Sequence, residues 1–163
     1  MLGAMHIAPH CAPQNAPHTV FKPALQVRAL PLRILVADDC RANRMQVNAM
    51  LMRWSLLPTI ACNGAQAVQL AGRHDFDLIL MNILMPVMDG IVATAKIRQI
   101  EREQLSRRPV PIVAYTSREL VADGAQLARV GLSAVLAKPC SAASLRQCLE
   151  RWCPDKFRPP DSH

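Results

Sequence analysis

The feature that most narrows the fold is a recurring unit, in which a short apolar run ends on a polar side chain and a segment with helical spacing follows. Arg33-Ile34-Leu35-Val36-Ala37 ends on the carboxylate pair Asp38-Asp39, and Asp77-Leu78-Ile79-Leu80-Met81 ends on Asn82. Val110-Pro111-Ile112-Val113-Ala114-Tyr115 ends on Thr116, and Ala134-Val135-Leu136-Ala137 ends on Lys138-Pro139. Runs this short and this apolar suit strands covered on both faces, with the intervening helices as the cover. Open α/β sheets build their sites at the carboxyl ends of parallel strands, which is where these polar groups fall.

A weaker strand is expected at about Thr59 to Ala61, before the turn Asn63-Gly64. Helices are expected over about Arg41 to Trp54, Ala65 to Ala71, Ile91 to Gln104, Arg118 to Val130 and Ser141 to Trp152. Ser141 would be an N-cap and Gly131 a C-terminal cap. Five βα units in this order predict a flavodoxin-like α/β fold: a doubly wound, five-stranded parallel sheet, strand order 2-1-3-4-5, with helices on both faces. The 163 residues suit one domain. Residues 32–153 should form it, behind a flexible Pro-rich extension over 1–31 and ahead of a loose tail over 154–163.

With 51% apolar residues the chain should be folded, and no apolar run approaches the roughly 20 residues of a membrane span. No secretory signal pattern opens the chain, so a cytoplasmic location and reduced thiols are expected for its six cysteines, which include no C-x-x-C pair. The net charge of +7 is spread along the sequence, and only 4% of residues are aromatic, so neither nucleic acid nor membrane is an expected partner. His6, His10, Cys11 and His18 match no metal-finger spacing. Cys40 reads as a small packed residue at a helix start, Cys148 and Cys153 as free thiols, and Trp54 and Trp152 as packing residues.

Taken together, Asp38-Asp39, Asn82 with Met85-Pro86-Val87-Met88-Asp89-Gly90, Thr116 and Lys138-Pro139 resemble the receiver domain of bacterial response regulators and hybrid histidine kinases. The resemblance covers about Leu32 to Trp152. It implies Mg2+ as cofactor, with Asp39 as direct ligand, Asp38 acting through water and the Leu84 backbone carbonyl as a further ligand. It also implies that Lys138 pairs with the acceptor and then with phosphate, that Thr116 bonds a phosphate oxygen, and that Lys138-Pro139 is cis. The phosphate-accepting aspartate of the family falls at Asn82, which is an amide.

A carboxamide has no anionic oxygen with which to attack phosphorus and forms no stable acyl phosphate. Its NH2 can instead donate to Asp38 or Asp39, and two acids in place of three should hold Mg2+ weakly. Receivers usually carry an aromatic residue three positions before the lysine, where this chain has Val135. The expected function is therefore a receiver-like signalling module, not an enzyme and not phosphorylated at 82, acting by protein contact with a histidine kinase or histidine phosphotransfer protein. Another partner could use the face built by the helix over Arg118 to Val130, the strand ending at Lys138 and the last helix. No output domain is expected in the short stretch after Trp152. Two alternatives stand beside it: an ordinary phosphate-accepting receiver carrying an Asp-to-Asn substitution, and a small phosphatase-like or nucleotide-binding protein. Against the last, Asp38-Asp39-Cys40 lacks the D-x-D of haloacid-dehalogenase-like hydrolases, and no Gly-rich phosphate loop follows the first strand.

Overall fold

The computed structural model describes residues 31–104, 108–117 and 128–158. Its strands are β1 (Ile34–Ala37), β2 (Thr59–Ala61), β3 (Leu78–Met81), β4 (Ile112–Ser117) and β5 (Ala134–Lys138). They form one parallel sheet in the order β2-β1-β3-β4-β5, as expected. The helices are α1 (Arg41–Met52), α2 (Gly64–Arg73), α3 (Gly90–Glu103) and α4 (Ala142–Trp152). Most of the helix expected over Arg118 to Val130 lies outside the described residues; Ala128 and Arg129 are helical, and Gly131 follows at φ 94°, a left-handed cap position.

Strand alternation divides the interior in two. Ile34, Val36, Leu78, Leu80, Val113, Tyr115 and Leu136 point to one face and pack against Val47 and Leu51 of α1 and Leu145 and Leu149 of α4. Leu35, Ala37, Ile79, Met81, Ile112 and Ala114 point to the other, against Ala67 and Ala71 of α2 and Ala93 and Ile97 of α3. Both faces of β1 and β3 are thus dry, which is why those strands are apolar without a break. Fully burying each Leu or Ile here contributes about 1.5–3 kcal/mol.

Several boundaries differ from the sequence expectation. Helix α1 stops at Met52 and not at Trp54. Leu56 N–H donates to the Leu51 carbonyl and Ser55 N–H to that of Met52, with Ser55 at φ 58°, which makes a Schellman closure. Serine stands where glycine would have announced the stop. Trp54 lies in that turn, its ring edge-on to Phe157 at 5.5 Å between centroids. Helix α2 begins one residue early because Asn63 caps it, accepting from Gln66 N–H at 2.9 Å, while Gln66 Oε1 accepts from Cys62 N–H at 2.8 Å.

The packed body also runs past Trp152 into the stretch expected to be loose. Phe157 is buried against the α1/α4 core, and Lys156 Nζ sits 2.8 Å from Asp77 Oδ1. Substituting Phe157→Ala should therefore lower the unfolding free energy by about 3 kcal/mol. Urea unfolding checks this, and a loss below about 0.5 kcal/mol would mean the segment is not docked.

All described cysteines are free. Burial raises the Cys148 thiol to about 12 and the Cys153 thiol to about 11, from an ordinary value of 9.0. The folded state therefore holds protons that the unfolded chain releases above about pH 9, so stability is retained below that pH and declines as pH rises toward 11–12. Denaturant midpoints measured from pH 8 to 11 should fall, and the double variant Cys148→Ala/Cys153→Ala should flatten the slope.

Candidate functional site

The carboxyl ends of β1, β3, β4 and β5 meet at one edge of the sheet, and each delivers the polar residue read from the sequence. Asp38 follows β1 and is 0% exposed. Its Oδ1 accepts from Cys40 N–H at 2.8 Å, and both oxygens face Asn43 Nδ2 at 3.3 and 3.2 Å. Its Oδ2 lies 2.6 Å from Lys138 Nζ at the end of β5. That ammonium also sits over the Tyr115 ring, 4.8 Å from its centroid. A buried anion is thus met by a cation and two N–H donors from three chain segments, as an anion sealed from water requires.

Asn82 follows β3 and is nearly buried, with its backbone N–H donating to the Ala37 carbonyl at 2.8 Å. Its side-chain Nδ2 donates to Asp39 Oδ1 at 2.9 Å and to the Leu84 carbonyl at 2.7 Å. Of the two carboxylates open to it, the amide selects the exposed Asp39, since Asp38 is already filled by Lys138 and Asn43. The loop that follows folds tightly over the strand end. A Cβ on Gly90 would come within 2.1 Å of the Asn82 backbone oxygen, so only glycine fits, and Gly90 N–H closes the loop on the Ile83 carbonyl at 2.7 Å. Asp89 then caps α3 by accepting from Val92 N–H at 2.7 Å.

Thr116 is buried on β4, where it pairs in register with Ala137, and Ser117 pairs with Lys138. Asp38, Asp39, Asn82, Leu84, Thr116 and Lys138 are therefore gathered at one sheet edge. One expected contact is replaced: Lys138 pairs with Asp38, not with residue 82, because an uncharged amide offers the ammonium no counter-ion. The Lys138-Pro139 bond is cis. Cys40 does stand at the helix start, but it is exposed and not packed.

Sequence reading missed three contributors. Asn43 lies in the first turn of α1 and reaches back to Asp38, and Arg44 donates through Nη1 to the Asp38 and Asp39 carbonyls at 2.7 and 2.8 Å. Their signal was present, since polar residues in the first turn of a helix that starts at a strand end face that end. Tyr115 is the third, 0% exposed beneath Lys138, with its hydroxyl held well above the usual phenol range by burial and then by the neighbouring Cys140 thiol. Burial raises Cys140 as well.

Known proteins are similar in sequence and fold. Residues 34–150 match the response regulator receiver domain family model. The chain is 33% identical over 132 residues to the signal transduction histidine-protein kinase BarA of Escherichia coli, covering 81% of this chain and 14% of that protein. It is 29% identical to Histidine kinase 5 of Arabidopsis thaliana, over 74% of this chain and 15% of that one. It thus spans about one-seventh of the length of these two relatives. Among solved structures, the receiver domain of the Pseudomonas aeruginosa sensor histidine kinase PA1611, with a magnesium ion coordinated in its active site cleft, is 36% identical at a TM-score of 0.66, over 76% of this chain and 98% of that one. The receiver domain of Saccharomyces cerevisiae Ssk1, co-crystallised with the histidine phosphotransfer protein Ypd1, superposes with a TM-score of 0.71 at 26% identity, over 78% of this chain and 92% of that one. The chain belongs to the response regulator receiver domain family.

Proposed function

We propose that this chain is a receiver module of a two-component or phosphorelay pathway that takes no phosphate at residue 82 and works by protein contact, without enzymatic turnover. One observation carries this reading. The residue at the end of β3 is a carboxamide, and its nitrogen is engaged by Asp39 and the Leu84 carbonyl. Acyl phosphate formation needs an ionised oxygen at that point, and Asn82 has none. In this reading the remaining pocket is inherited from a phosphate-accepting design. Asp38 and Asp39 are its acid pair, Leu84 the carbonyl, and Thr116 and Lys138 the phosphate-contacting positions.

The partner class follows from the relatives. BarA and Histidine kinase 5 are histidine kinases, and the Ssk1 receiver was captured with a histidine phosphotransfer protein. A histidine kinase or a phosphotransfer protein is therefore the partner proposed, bound in a conformation that phosphate does not control. Among the described residues no helix is long and apolar enough to cross a membrane, which suits a module that meets its partners in the cytoplasm.

Incubation with acetyl phosphate and Mg2+, followed by intact-mass analysis, tests the reading. The natural chain should show no phosphate increment. Asn82→Asp should gain one, because Asp39, Thr116 and Lys138 are already in place. A base-labile phosphate on residue 82 of the natural chain would overturn the proposal.

A further inference from the structure

The two acceptors of the Asn82 amide are a carboxylate oxygen and a backbone carbonyl oxygen, 2.9 and 2.7 Å from one nitrogen. Such oxygens, converging on one point, are the hard donors that Mg2+ takes. The residues present nevertheless do not fit that ion. The point of convergence is filled by N–H groups. For Asn82 to act as a ligand, its Oδ1 would have to turn toward Asp39 and Leu84, and both hydrogen bonds would be lost. The opposite assignment of the amide would place three oxygens face to face, so its orientation is set by its neighbours. Charge works in the same direction. Asp38 is 0% exposed and neutralised by Lys138 at 2.6 Å, which leaves Asp39 as the member of the acid pair without a cationic partner among the described residues. Nor do the described residues contain any cluster of three or more His, Cys, Asp or Glu side chains suited to a metal.

We infer that the Asn82 carboxamide is a built-in replacement for the cation. Its two N–H groups tie β1, through Asp39, to the loop after β3, through Leu84, so that this edge is held closed without metal. The inference rests on the receiver reading only for where a cation would belong. It has its own test, since a chain that takes no phosphate could still bind Mg2+.

The chain, stripped with EDTA, is titrated with MgCl2 to about 10 mM at constant ionic strength while thermal unfolding is followed. The natural chain should shift by less than about 1 °C, whereas Asn82→Asp should rise by about 4 °C as the cation relieves three crowded carboxylates. A saturable rise in the natural chain equal to that of Asn82→Asp would overturn the inference. So would indifference of both, because the amide would then not be what keeps the ion out. The tie itself is read by amide hydrogen exchange: Asn82→Ala removes both donors and should speed exchange over residues 84–90 by about tenfold. Unchanged exchange there would refute the cross-link.

Discussion

One buried anion organises the site edge of this fold. Asp38 has no access to water, so its charge must be answered by protein groups. The answer comes from one distant group, Lys138 at the end of β5, and two near ones, the Cys40 backbone and Asn43 in α1. Such a pair adds little to net stability compared with an apolar replacement, yet losing one partner strands the other at a cost of about 3–5 kcal/mol. The pair therefore acts as a positional constraint. It fixes β5 and the start of α1 relative to β1, and Lys138 is further held over Tyr115.

Much of the fold was legible because both cores are built from simple alternation. An unbroken run such as Leu78-Ile79-Leu80-Met81 can be satisfied only between two helical layers. What resisted reading was closure chemistry. Ser55 takes the left-handed position in which a glycine is expected, so the end of α1 was placed too late. Asn63 sets the start of α2 by capping Gln66 N–H while the Gln66 side chain bonds backward to Cys62, contacts with no periodicity to betray them. Phe157 anchors the segment after Trp152 together with the Lys156–Asp77 pair, and a lone aromatic among prolines and charges carries no pattern.

The candidate site was legible as a set of strand ends but not as a set of bonds. Sequence order places Asp38, Asp39, Asn82, Thr116 and Lys138 at one edge, since parallel strands all finish on the same side. It does not say which carboxylate the amide or the ammonium prefers. That choice depends on burial. Asp38, being sealed, attracts the full cation, and Asp39, being exposed, is left for the weaker dipole of Asn82.

The same logic bears on coupling between the pocket and the surface. A charged residue at 82 would compete with Asp38 for Lys138, so addition or removal of phosphate would have something to redistribute. With an amide there, Asp38 is the anionic partner of Lys138 among the described residues, and residue 82 brings no charge to compete for that ammonium. The only tyrosine lies elsewhere: Tyr115 is wholly buried on the α1/α4 face of β4, beneath that same ammonium. Val135, on the neighbouring strand and partly packed against the α2/α3 core, has no ring to swing. A carboxylate at 82 and an aromatic ring at 135 are thus absent together. This favours a module whose binding surface is set once, by folding, and is read by its partner as it stands.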